Sequence, residues 1–185
     1  NCLIKSLFHK KKNNLNKRIA IYKTSLPASG LIKTMEYRQF LDNELKNSFI
    51  GDETVHPFAL IAHARLVTNG TQAVNSNNQP VAKEGAVAIH NGIIVNAPEL
   101  WRKYGHLTRE FEVDTEIFPA LYRHFRNLGF SPVCSTVKTY GEIYGSASIA
   151  MLQNDSSRVI LSTNNGSLYV TSSEKGNILI FASEK

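Results

Sequence analysis

A chain of 185 residues with 42% apolar and 19% charged residues is long enough for one domain with a real core and lies outside the disordered range. No apolar stretch approaches the roughly 20 residues that a bilayer span needs, and the short run after Asn1 is too brief for a signal peptide. The net charge of +6 sits at one end, where residues 1–50 carry ten Lys/Arg against three Asp/Glu.

The basic run Lys10-Lys11-Lys12, followed by Lys17-Arg18, reads as a solvated loop. No aromatic stacking pattern accompanies it, so neither a nucleic-acid partner nor a membrane is expected. Arg18–Lys23 alternates weakly and predicts a strand, stopped by Pro27 and Gly30. Thr34 is placed to cap a helix over Met35–Phe49, with Tyr37, Phe40, Leu41 and Leu45 at helical spacing. Phe58–Ala64 is a continuous apolar run of strand length, which predicts burial on both faces. The stretch from Thr68 to Pro80 is rich in Asn, Gly, Ser and Gln and reads as a loop.

Ala86–His90 and Ile93–Val95 are strand-like on either side of Asn91-Gly92, a pair that local rules assign to a hairpin turn. Pro98 suits the first turn of a short helix near Trp101. Asp114 is a preferred N-cap for a helix carrying Ile117, Leu121, Tyr122 and Phe125 and ending near Gly129. A second helix runs from Ser131 and Pro132 to about Gly141, and Cys134 within it is expected to be structural. Three or four strands close the chain, over Ala147–Leu152, Val159–Ser162, Leu168–Thr171 and Ile178–Ala182, with Asn164-Asn165-Gly166 turning between the middle pair. Strands, then helices, then strands predict an α+β layered domain with antiparallel sheets inside and helices outside.

Two cysteines, Cys2 and Cys134, are too few for a disulfide framework, so a cytoplasmic chain is expected. The lack of Met at position 1 and the closing strand-like run are what a processed chain or fragment would present. No HxxxH or CxxC spacing occurs, so no metal site is expected, and His63 and His90 read as satisfied core histidines. No Gly-rich phosphate loop appears either. Three other features carry chemistry. Arg65, just past an apolar strand, offers a forked donor suited to a carboxylate. Asn91-Gly92 offers an unobstructed backbone N–H and a side-chain N–H, the pair of donors a tetrahedral oxyanion needs. Asp114 offers an anion for an ammonium group, beside its local explanation as a cap.

In order, the chain carries His63-Ala64-Arg65-Leu66-Val67-Thr68-Asn69-Gly70, then His90-Asn91-Gly92-Ile93-Ile94, then Val113-Asp114-Thr115-Glu116. Asn78-Gln79-Pro80, Gly145–Ala150 and Phe181-Ala182-Ser183-Glu184 add to the series. This pattern resembles the glutaminase domain of class II glutamine amidotransferases, in the N-terminal-nucleophile hydrolase superfamily, and is similar to the amino-terminal domain of glucosamine-6-phosphate synthase. The match covers about residues 58–185 of a single domain spanning 1–185, with residues 1–50 poorly matched. The resemblance implies a four-layer αββα sandwich of two antiparallel sheets flanked by helices. It implies L-glutamine as substrate, with Arg65 on its α-carboxylate, Asp114 on its α-ammonium, Thr68 in the substrate loop and Asn91 with Gly92 as the oxyanion hole. It implies no cofactor, and a synthase or transferase domain or subunit that accepts the ammonia in amino-sugar, asparagine-type or nucleotide-precursor synthesis; a homo-oligomer is compatible with it.

The family's nucleophile is an amino-terminal cysteine whose free α-amine acts as base, and that amine's ordinary pKa of ~7.7–8.0 suits the work. Cys2 is the candidate here, followed by Leu3-Ile4 where the family has Gly-Ile. It serves only once Asn1 is removed; otherwise the nucleophile lies upstream or has been lost. The chain also lacks a convincing Arg-Gly-x-Asp counterpart and has Leu66 in place of the family's Trp. The alternative is therefore a degenerate amidotransferase-like domain, lacking a competent cysteine, that binds glutamine or serves assembly.

Overall fold

The structure, a computed structural model, describes residues 2–11, 14–49, 58–64, 78–156 and 158–184. Two antiparallel sheets face each other. The first has the order β2-β1-β3, from β1 (Cys2–Lys11), β2 (Asn14–Lys23) and β3 (Phe58–His63). The second has the order β4-β5-β6-β7, from β4 (Val81–Lys83), β5 (Ala86–Ile94), β6 (Gly145–Gln153) and β7 (Val159–Thr163). A separate ribbon pairs β8 (Tyr169–Ser172) with β9 (Leu179–Ala182). Helices α1 (Ala28–Leu31) and α2 (Met35–Phe49) belong to the first sheet, where Leu31 and Tyr37 pack with Tyr22, Phe40 and Leu41. Helices α3 (Ala97–Lys103), α4 (Ile117–Asn127) and α5 (Pro132–Glu142) form the opposite outer layer. The result is the expected αββα sandwich.

Period-2 alternation in the two central strands explains the layers. Ala86 and Ala88 of β5, with Ala147, Ile149 and Met151 of β6, face the helices and pack on Ile117, Phe118, Leu121 and Tyr122. The intervening Val87 and Ile89, with Ala150 and Leu152, face the first sheet and meet Ile61. Both faces of this pair are covered, which is why its sequence reads as an unbroken apolar run. At ~25 cal/mol per Å² of apolar surface removed from water, this double-sided core is the main stabilising term of the fold.

Four expectations change. The run Phe58–Ala64 is not buried on both faces: Ile61 is buried, whereas Phe58 and Leu60 are 43% and 40% exposed. β3 is an edge strand with one face on the second sheet, so its alternation resolves into an inner and an outer row. Most of the basic run is not a loop, because Lys10 and Lys11 lie in β1 and Lys17 and Arg18 in β2, extending the predicted strand; Lys12 lies outside the described residues. Asn164–Gly166 does not join a hairpin: β7 pairs with β6, while β8 pairs with β9. Asn164 instead ties back onto β6, its Oδ1 accepting from Ala147 N at 2.9 Å and its Nδ2 donating to Gly145 O at 2.9 Å. The fourth change concerns Asn91-Gly92, which is no turn. Both residues lie inside β5, opposite Ser148 and Ala147 of β6.

Helix caps follow the sequence more closely. Thr34 Oγ1 accepts from Tyr37 N at 3.3 Å, and Ser131 Oγ accepts from Cys134 N at 3.2 Å. Cys134 is exposed on α5. Among the described residues, no helix is long and apolar enough to cross a membrane.

Candidate active site

A cleft of ≈ 700 Å³ opens where the ends of β3 and β5 meet, lined among others by His63, Gln79, Asn91, Gly92 and Asp114. Its geometry starts from one edge of β5. β4 pairs only with Ala86–Ala88, so among the described residues no strand pairs with the same edge of β5 beyond β4. Three groups on that edge can be placed by alternation. The Gln79 side chain takes the first, accepting from His90 N at 2.6 Å and donating to His90 O at 2.7 Å, as a strand residue would. The Asp114 carboxylate takes the third, accepting from Ile94 N at 2.8 Å. Gly92 lies between them, at the position whose N–H and C=O strand alternation assigns to this edge.

Gly92 also needs to be glycine. Its φ is +137°, and a Cβ there would stand 1.9 Å from Ser146 O. Gly145 mirrors it on β6, with φ +116° and a would-be Cβ 2.0 Å from Ile93 O. The two glycines thus flank the Ile93–Ser146 pair, and each approaches the opposite backbone carbonyl more closely than a side chain would allow. Asn91 is exposed in the cleft and makes no side-chain hydrogen bond among the described residues.

Asp114 does not cap α4 as expected. It opens a 3₁₀ turn (Asp114–Glu116) that leads into the helix, with no side-chain cap bond. Its carboxylate reaches across to β5, a long-range partner that outweighs the local one. The turn is anchored by Glu116, fully buried, whose two oxygens accept from Glu110 N and Phe111 N, both at 2.8 Å. Lys83 Nζ completes this site at 3.1 Å from Glu116 and 2.6 Å from Glu110, and donates to Thr108 O at 2.6 Å. The carboxylates hold the Lys83 ammonium above its usual pKa against the opposing effect of its burial. Burial pushes the His90 imidazole below its usual pKa, opposed by the Asp114 charge and the Ser146 carbonyl.

The structure thus brings Asn91, Gly92 and Asp114 of the sequence-derived set to one cleft. Arg65 and Thr68 lie outside the described residues. Cys2 begins β1 opposite His63, which lines the cleft, so its backbone is at the cleft margin. Gln79, Thr115, Glu116 and Lys83 were not singled out by role in the sequence; the polar Gln79-Pro80 and Thr115-Glu116 pairs flanking the motifs were the available signal.

A family model described as a glutamine amidotransferase domain matches residues 63–185, about two thirds of the chain. The chain belongs to this glutamine amidotransferase family. It is 28% identical over 111 residues to glutamine--fructose-6-phosphate aminotransferase [isomerizing] of Shouchella clausii, covering 59% of this chain and 18% of that protein. The same-named protein of Chlamydia pneumoniae is 28% identical over 148 residues, covering 72% and 23%. The chain therefore spans about a fifth of the length of these curated relatives. Among solved structures, the glutamine phosphoribosylpyrophosphate amidotransferase of B. subtilis aligns with a TM-score of 0.61 at 14% identity, over 98% of this chain and 35% of that one. An allosteric regulatory enzyme of purine biosynthesis aligns with a TM-score of 0.58 at 16% identity, over 92% and 33%. Those likenesses show that the chain shares the fold of these two enzymes.

Proposed function

We propose that this amidotransferase domain, taken as residues 1–185, is an active glutaminase that opens the side-chain amide of free L-glutamine and hands on the ammonia. What supports the reading is the edge of β5 beyond β4, where strand alternation puts the Gly92 N–H between a fixed amide and a carboxylate in a cleft. In this reading Asp114 receives the α-ammonium, Arg65 the α-carboxylate, and Thr68 belongs to the loop that covers the substrate. The Cys2 sulfur attacks the amide carbon, and the thiol proton passes to the free α-amine that cleavage just before Cys2 would expose. The carbonyl oxygen, now negative, accepts from Gly92 N–H and the Asn91 amide. The α-ammonium returns the proton to the leaving nitrogen, ammonia departs, and a γ-glutamyl thioester remains. Water then attacks the thioester, releasing glutamate and the thiol.

The ammonia acceptor would be a synthase or transferase domain or subunit. The fructose-6-phosphate in the relatives' name makes a hexose phosphate the first acceptor to test. The test of the glutaminase itself is release of glutamate and ammonia in equal amounts, with Cys2→Ala as control. Turnover abolished by that substitution supports the reading, and turnover untouched by it refutes the assignment of Cys2.

A second reading is favoured by Asn1 alone, because an amide-linked Cys2 has no basic amine. The domain would then bind glutamine without turning it over. It predicts glutamine-dependent thermal stabilisation with no glutamate released, and measurable turnover would dispose of it.

A further inference from the structure

Resting on the glutaminase reading, we propose that His90 is a positioning residue that couples the oxyanion-binding edge at Gly92 to the ammonium-binding carboxylate of Asp114. His90 is 2% exposed and lies beneath the site, one residue before Asn91. Its ring meets two other segments of chain. Nδ1 is 3.3 Å from Thr115 Oγ1 on the 3₁₀ turn, and Nε2 is 3.4 Å from Ser146 O on β6. Nδ1 is also 4.0 Å from Asp114 Oδ2, and Nε2 stands 3.0 Å from where a Cβ on Gly92 would be.

Donor and acceptor roles leave one consistent assignment. The Ser146 carbonyl only accepts, so Nε2 carries the proton and Nδ1 accepts from the Thr115 hydroxyl. Thr115 Oγ1 in turn accepts from Gln79 Nε2 at 3.5 Å, while the other hydrogen of that amide goes to His90 O. Gln79 Oε1 takes His90 N–H. Every polar atom of the ring and of the Gln79 amide is then used, and the neutral Nε2–H tautomer is the form that closes the circuit.

The consequence is electrostatic as well as geometric. A neutral His90 leaves the Asp114 carboxylate free to hold a substrate ammonium. A protonated His90 would put a cation 4.0 Å from that carboxylate and compete for it. Among the described residues, Asp114 is the charged group that faces the imidazole; Thr115, Gln79 and Ser146 contribute only neutral dipoles. Burial holds the ring neutral at neutral pH.

The test is glutamine kinetics against pH for wild type, His90→Gln, His90→Ala and Thr115→Val, with imidazole ¹⁵N NMR on the wild type. Wild type should show KM for glutamine rising as pH falls below the ordinary imidazole range, while His90→Gln, which cannot titrate, stays flat down to the carboxylate range. Thr115→Val cuts only the arm toward Asp114 and should raise KM about 10-fold with kcat within about 3-fold. His90→Ala should lower kcat by about 100-fold as well. NMR should find the Nε2–H tautomer, a readout independent of turnover. If the wild type binds glutamine without turnover, the glutaminase reading fails, and the same pH and variant pattern is sought in Kd. An Nδ1–H tautomer, or the same acid limb in wild type and His90→Gln, would overturn the proposal.

Discussion

The Asp114 carboxylate accepts the backbone N–H of Ile94 at 2.8 Å, two residues beyond Gly92 on the same edge of β5. This single bond sets an anion and a backbone donor a fixed interval apart, as a ligand with an ammonium at one end and a carbonyl at the other requires. It also separates charge from position experimentally. Asp114→Asn keeps an oxygen for Ile94 N–H but loses the charge. KM for glutamine should rise about 10- to 100-fold, in keeping with ~1.5–3 kcal/mol for a hydrogen bond to a charged group, while the melting temperature changes little. A large drop in melting temperature with unchanged KM would make the residue purely structural.

Asn91 should divide the other way. Its exposed carboxamide has no structural partner among the described residues, so Asn91→Ala should leave stability within about 0.5 kcal/mol. If it serves the oxyanion, kcat falls by about 10²- to 10³-fold with KM nearly constant. Steady-state kinetics on the purified variant decide between the two.

Gly92→Ala should be costly to the fold itself. The added methyl would meet Ser146 O at 1.9 Å, in a backbone conformation that side chains rarely adopt. Overpacking against backbone costs about 1–3 kcal/mol, to which the positive φ adds. Urea denaturation should show a loss of at least about 2 kcal/mol.

Much of the fold was legible in local pattern. The helix over Met35–Phe49, its Thr34 cap and the Ser131 cap needed only residues within four positions of one another. The site was legible as residue types but not as geometry. Asn91-Gly92 has the dihedral freedom of a hairpin turn, and nothing nearby reveals that Ser148 and Ala147, more than fifty residues on, pair with it. Asp114 likewise has a good local use as a cap and a better one twenty residues away at Ile94. The Lys83–Glu116 contact was invisible for the same reason, since a charge in a sequence carries no mark of burial.

That buried pair makes a separate prediction. Removing Lys83 leaves a fully buried Glu116 carboxylate with backbone donors alone, so Lys83→Met should destabilise the fold by about 3–5 kcal/mol. The pKa of Lys83 is raised on folding from 10.5, so its contribution is complete below that value and fades as pH rises through the folded-state pKa. Wild type should therefore lose stability in the alkaline range above about pH 10.5. Lys83→Met should lack that part of the loss, which denaturation at a series of pH values would reveal.

The central claim is that glutamine held in this cleft is attacked by Cys2. Its most direct measurement is intact-mass analysis and peptide mapping after exposure to a glutamine analogue bearing an electrophile in place of the side-chain amide. The account predicts one adduct per chain, on Cys2 as the amino-terminal residue, prevented by excess glutamine and weakened by Asp114→Asn. A chain that binds glutamine yet takes no label, or is labelled only on the exposed Cys134, would contradict it.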